Sequence, residues 1–136
     1  MAIPTTHPAT PAALAPFVRQ RTVLLTTYRR DGRPVGTPVS IAVAGDRAYF
    51  RTYDAAGKVK RLRRHPEVAI APATVRGTPT GPAIRAAARL LDGAEATEAR
   101  AALARKHPLL HGVLVPLYHR LARYLTLHYA VTPLDA

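Results

Sequence analysis

The stretch Arg51-Thr52-Tyr53-Asp54-Ala55-Ala56-Gly57-Lys58-Val59-Lys60-Arg61-Leu62-Arg63-Arg64-His65-Pro66 has residue types and spacing suited to binding an anion. A strand-like run over Arg47 to Tyr53 leads into Asp54, a candidate helix cap. A short, strongly basic helix follows and stops at Pro66. The start of a helix offers backbone N–H groups without intrahelical partners and a partial positive charge, so it suits a phosphate. Lys58 and Lys60 add charged donors beside it. The competing reading is a solvated helix face that binds nothing.

Other chemistry is thinly represented. No Ser–His–carboxylate pattern is recognisable, and Asp and Glu total 8 against 20 Lys and Arg, so a hydrolase is not expected. Tyr53, His65, Tyr118 and His128 are proton-donor candidates by type alone, with packing or surface roles as the alternative. His107 and His111 stand four residues apart, a metal-ligand spacing on a helix, but Pro108 disrupts that geometry and no carboxylate lies near. No metal site is expected, and no catalytic side chain is assigned. The absence of cysteine removes disulfides, thiolate metal sites and a thiol nucleophile.

The elements that must position these residues belong to a chain of 136 residues, a length that fits one domain. Residues 1–11 read as a flexible lead and residues 12–136 as the domain. The apolar fraction is 48%, but much of it is alanine, so Val, Leu and Ile must build the core. A small chain of this kind is expected to cover apolar faces with a partner. The net charge of +12 points to a polyanion: nucleic acid, an acidic membrane or an anionic cofactor. The alternative is compositional, since an Ala-, Arg- and Pro-rich chain resembles the product of GC-rich coding. Nucleic acid ranks last among functions, because the chain has no Trp, 2 Phe and 6 Tyr, with no basic–aromatic repeat. The start of the chain lacks a basic segment followed by an apolar core, so no signal peptide is expected. No apolar run approaches the ~20 residues needed to span a bilayer. A cytoplasmic location is expected.

Ala12 to Arg21 is expected to form a short helix with Leu14, Phe17 and Val18 on one face. Thr22 to Tyr28 reads as a strand, and Asp31-Gly32 as the turn into the next. That next strand, Val35 to Val43, alternates Val35, Thr37, Val39, Ile41 and Val43 against Gly36, Pro38, Ser40 and Ala42. The second face is uniformly small, so something bulky can lie on it, a packed helix being the alternative. Pro38 cannot donate to a ladder, which implies an edge or a bulge there. Gly45-Asp46 turns into Arg47 to Tyr53; Glu67 to Val75 and Ala83 to Leu91 are further strands, with Pro72 again marking an edge or bulge. Asp92-Gly93-Ala94-Glu95 has capping-box spacing and opens a helix to about Lys106. Leu109 to Arg120 reads as a second helical piece bent near Pro116, and Arg123 to Val131 as the last strand. Six strands joined largely by hairpins predict a mainly β fold, a six-stranded antiparallel β-barrel with helices at its edge. The short connections disfavour a parallel doubly wound sheet.

Several segments, taken in order, resemble the split-barrel flavin-binding family that includes pyridoxamine-phosphate oxidases. They are Val23-Leu24-Leu25-Thr26-Thr27, Asp31-Gly32-Arg33-Pro34, Thr37-Pro38-Val39, the run from Gly57 to Pro66, Ala88-Arg89-Leu90-Leu91 and Tyr129-Ala130-Val131-Thr132-Pro133. The chain is most similar to the branch described as oxidoreductases using the deazaflavin coenzyme F420. The resemblance implies a homodimer with a cofactor cleft between two barrels. It implies that Thr37, Pro38, Val39 and Ser40 contact the tricyclic ring, and that Arg51, Thr52, Lys58 and Lys60 hold the phosphate. Lys58 carries most of that role and is expected to be exposed in the cleft. Where the family often has a serine or a basic residue beside the helix start, this chain has Ala56-Gly57, which shifts weight to backbone N–H groups and lysines. Arg61, Arg63, Arg64 and Arg76 would face the acidic tail of F420, a phosphodiester followed by glutamates. FMN, with one phosphate, needs less positive charge and is the alternative cofactor. The implied activity is hydride transfer between reduced deazaflavin and a small conjugated or quinone-like acceptor. A cofactor-binding or storage protein of the same fold is the alternative, since both need the same cleft.

Overall fold

The computed structural model describes residues 10–53, 57–108, 117 and 126–134. A 3-10 helix, Ala12–Phe17, precedes strands β1 (Thr22–Tyr28), β2 (Pro34–Ser40), β3 (Ala42–Ala44) and β4 (Arg47–Tyr53). Helix α1 (Gly57–Arg64) follows, then β5 (Glu67–Pro72), β6 (Ile84–Leu90), helix α2 (Gly93–Lys106) and β7 (Thr126–Pro133). The strands form one antiparallel sheet in the order β2-β1-β5-β6-β7-β4-β3.

The two edges of this sheet, β2 and β3, are consecutive in the chain. The strand expected over Val35 to Val43 is therefore two strands, and the barrel has seven where six were expected. β2 pairs with β1 up to Ser40↔Thr22, and from Ala42 the chain pairs with Tyr49 of β4 instead. Ile41 is the corner. Its N–H donates to the Arg21 carbonyl (3.2 Å) and its side chain is buried in the core. A strand that changes partner must bend, and this bend curls the sheet into a split barrel.

Alternation sets the two sides of the wall. Val23 and Leu25 of β1, Phe50 of β4, Val68 and Ile70 of β5, and Val131 of β7 fill the barrel, with Leu14, Phe17 and Leu62 packed in from the helices. The Phe50 and Tyr129 rings stack in parallel planes, with centroids 5.1 Å apart. Tyr49 and Ala130 point outward against Ala99, Ala102 and Leu103 of α2. Alanine at two of those three helical positions lets α2 lie close to the strands.

The β1–β2 turn forms as expected. Gly32 has φ +89°, and the Asp31 carboxylate accepts hydrogen bonds from the backbone N–H (3.1 Å) and Nε (2.7 Å) of Arg33. Pro38 lies on the edge strand β2, and Pro72 lies at the end of β5, beyond the last β5–β6 pair, Ile70↔Ile84. Four expectations need correction. The first helix is a 3-10 turn, and it leaves Val18 exposed, because residue 18 follows its end. The β5 strand stops at Pro72, after which the chain turns away. Leu90, which strand alternation puts on the same face as the buried Ala86 and Ala88, is exposed at the strand's end. The capping box does not form: Asp92 makes no side-chain cap, and Glu95 instead meets Arg89 (2.8 Å) and Arg47 (3.2 Å). Two arginines outcompete one backbone N–H for that carboxylate. The expected cap Asp54, the lead over residues 1–9 and the helical piece over 109–116 and 118–120 lie outside the described residues. No described helix is long and apolar enough to cross a membrane.

Candidate cofactor-binding site

Helix α1 covers one end of the barrel, and its sequence explains how. Val59 and Leu62, three apart, are its buried residues, so the other positions turn outward as a basic face. That face meets the β1–β2 turn. Between them lies a cleft of about 530 Å³ lined by Arg29, Arg30, Arg33, Gly57, Lys60, Arg61 and Arg64, with Asp31 as the one carboxylate among the described residues that line it. Asp31 is already paired with Arg33 (2.7 Å). A smaller recess of about 390 Å³ on the far side of Lys60 and Arg64 is bordered by Arg63 as well.

Arg61 anchors this end. Its Nε donates to Thr27 Oγ1 at 2.6 Å, and Thr27 is only 1% exposed. Burial and then the neighbouring Arg29 lower the Arg61 pKa, a sign that like charges are crowded here without full compensation. Lys58 is half-buried rather than exposed as expected, because its Nζ turns back toward Thr52 Oγ1 (3.4 Å) near the end of β4. Its pKa is lowered by burial and then by Arg61. Among the described residues, a Cβ at Gly57 would meet only the Arg61 guanidinium, 3.0 Å away. The Arg61 head thus rests over the first residue of α1.

The remaining expected site residues do not all converge. Thr52 is buried and shares the Lys58 side of β4. Arg51, one residue earlier, points to the opposite face. It is buried, its Nε donates to His128 Nε2 (3.1 Å), and its pKa is lowered by burial and then by Arg100 of α2. Period-two alternation separates Arg51 from Thr52 and Lys58. Thr37, Pro38, Val39 and Ser40 run down β2, away from the cleft, with Thr37, Val39 and Ser40 half-buried and Pro38 exposed. The small outer face there is partly occupied by the chain itself. Leu24 Cδ1 lies 2.9 Å from where a Gly36 Cβ would be, and Gly77 of the β5–β6 loop approaches the Pro38 ring. Arg76 precedes Gly77 on that loop and is exposed, so it belongs with β2 and not with the α1 cleft.

Arg29, Arg30, Arg33 and Thr27 were not expected at the site. The arginine-rich turn Arg29-Arg30-Asp31-Gly32-Arg33 was visible, but nothing local showed that α1 would pack against it. Among the proton-donor candidates, His65 is exposed beside the Tyr28 ring (centroids 5.6 Å apart), His128 is engaged by Arg51, and Tyr53 ends β4. Tyr118 and His111 lie outside the described residues.

The family model for pyridoxamine 5'-phosphate oxidase matches residues 9–122. This chain belongs to the pyridoxamine 5'-phosphate oxidase family. No match was found among curated proteins. Among solved structures, a conserved hypothetical protein from Mycobacterium tuberculosis is 19% identical with a TM-score of 0.68, covering 96% of this chain and 87% of its own. The heme storage protein HutZ from Vibrio cholerae is 15% identical with a TM-score of 0.67, covering 90% and 92%. An F420 reductase is 16% identical with a TM-score of 0.54, covering 96% and 95%. At these identities the pyridoxamine 5'-phosphate oxidase fold is what is shared.

Proposed function

We propose that this protein is a deazaflavin-dependent oxidoreductase that takes coenzyme F420 and reduces a small conjugated or quinone-like acceptor. The observation that carries the reading is the α1 cleft, where, among the described residues, six cationic side chains face one carboxylate that is already paired. A single phosphate leaves most of that charge uncompensated. A phosphodiester followed by several glutamates matches it, and each charge-assisted contact favours the complex. The donor set therefore fits the anionic part of F420, and FMN is the alternative that fits less completely. The same fold serves an F420 reductase.

Lys60, Arg61 and Arg64 would hold the anionic tail; Lys58 and Thr52 do not line the cleft, and they would reach the phosphate from the end of β4 beside it. β2 starts beside Arg33 and leads away from the cleft, so Thr37, Pro38, Val39 and Ser40 would lie along the ring system. When bound in reduced form, the deazaflavin supplies a hydride to an electrophilic carbon of the acceptor. The chain's part is to fix the anionic end, align the rings on β2 and exclude water. We further infer a homodimer in which a second barrel closes the ring site.

The test is turnover. Reduced F420 is mixed with menadione, with and without protein, and its oxidation is followed by absorbance. A rate proportional to protein above the uncatalysed control supports an oxidoreductase. Tight binding without acceleration, across a panel of quinones and conjugated carbonyls, makes the protein a cofactor carrier instead.

A further inference from the structure

At the end of β2 opposite α1, a second cavity of about 380 Å³ is lined by Arg21, Thr22, Ser40, Val75, Lys106, His107 and Pro108. It holds no carboxylate among its described lining. The Lys106 ammonium is half-buried and donates to the backbone carbonyls of Gln20 (2.5 Å) and Phe17 (3.4 Å). Arg21 is exposed at the rim, and no described side chain neutralises it. A ring nitrogen of His107, Nε2, sits 3.0 Å from the Ile41 carbonyl; burial first, and then Lys106 and Arg21, lower the pKa of the ring against that contact. That contact to a carbonyl requires Nε2 to carry the hydrogen. Two cations, the hydroxyl-bearing Thr22 and Ser40, and the apolar Val75 and Pro108 thus line one space. Val75 is 79% exposed, an apolar side chain held out to solvent beside a cationic recess.

We propose that this cavity binds a small conjugated carboxylate, with Arg21 and Lys106 taking the carboxylate and Val75 and Pro108 flanking the apolar body. The assignment rests on the position and chemistry of the cavity. Its role rests on the deazaflavin reading, in which the ligand is the hydride acceptor. β1 and β2 run between the two sites over seven paired residues, Thr22↔Ser40 to Tyr28↔Pro34, a span of roughly 20 Å at the usual rise of a strand. A cofactor anchored at α1 with its rings along Thr37 to Ser40 ends beside this cavity. The acceptors are then narrowed to those bearing an anionic group.

Benzoate titrated into the cofactor-free protein by calorimetry tests the site, with benzyl alcohol as its neutral counterpart. The site predicts saturable benzoate binding, weaker by about tenfold or more for benzyl alcohol and for Arg21→Gln, the usual effect of losing a charged partner. Lys106→Met gives the same loss if it folds; Arg21, exposed at the rim, keeps the test independent of folding. F420 affinity, measured separately, stays within about twofold in Arg21→Gln, since α1 lies at the other end of the barrel. Benzoate binding that is absent, unchanged in Arg21→Gln or equal to that of benzyl alcohol overturns the proposal. Benzoate binding as predicted in a protein that fails to bind F420 upholds the carboxylate site and removes the deazaflavin reading.

Discussion

Lys58 and Arg61 do different work, although they stand three apart on one helix. Lys58 is half-buried with only a long contact to Thr52 among the described residues. Lys58→Ala is therefore expected to weaken cofactor binding by about 1.5–3 kcal/mol while leaving the denaturation midpoint nearly unchanged. Fluorescence titration and chemical denaturation of the same preparation read both quantities. Arg61 also satisfies a buried hydroxyl, so Arg61→Ala should lower stability as well, by about 1–3 kcal/mol for the Thr27 oxygen it abandons. Adding Thr27→Val removes that orphan. The double variant should recover most of the stability and none of the binding, a separation that a purely structural Arg61 would not show. These roles were only half legible in the chain. The basic helix was readable from composition, and the opposite facing of Arg51 and Thr52 follows from strand alternation. The resemblance nevertheless placed both at one phosphate, and the structure puts Arg51 on the α2 side.

Elements meet where the pattern of residues is silent. β1, β4, α1 and α2 lie close to where alternation, Pro66 and the helical spacing put them, because those signals are local. The corner at Ile41 was not readable: the alternation from Val35 to Val43 runs through it without a break, and only the choice of partner divides the run. The missing capping box has the same origin, since Glu95 is drawn to Arg47 and Arg89 on β4 and β6. The junction of α2 with the 3-10 helix gives a pH prediction. Burial pushes Lys106, near the end of α2, down from 10.5 to about 8. Below the lower value the ammonium is charged in both states and the folded chain carries the full cost of burying it. Between the two values the unfolded chain holds more protons than the folded one, so stability rises with pH. Lys106→Met should remove that part of the slope. Denaturation of both proteins across this window checks it, and parallel curves would contradict it.

For the molecule as a whole, six of the 20 Lys and Arg residues line the α1 cleft and two more, Arg21 and Lys106, line the cavity at the far end of β2. Mainly β architecture and a split barrel were legible because hairpin-length connections leave few alternatives. The convergence of the Arg29–Arg33 turn on α1 was not, because it joins segments about thirty residues apart through the folded sheet. Charge of this kind makes binding salt-dependent. F420 affinity should fall steeply as the Debye length shrinks from roughly 30 Å at 0.01 M salt to roughly 3 Å at 1 M, and FMN affinity should fall less. Equal slopes for the two cofactors would mean that the cleft senses a single phosphate. The most direct measurement is titration of the cofactor-free protein with F420 and, separately, with FMN, read by fluorescence and calorimetry. The account predicts saturable F420 binding that is tighter than FMN binding and weakened in Lys58→Ala. Tighter binding of FMN, or binding of neither, would contradict it.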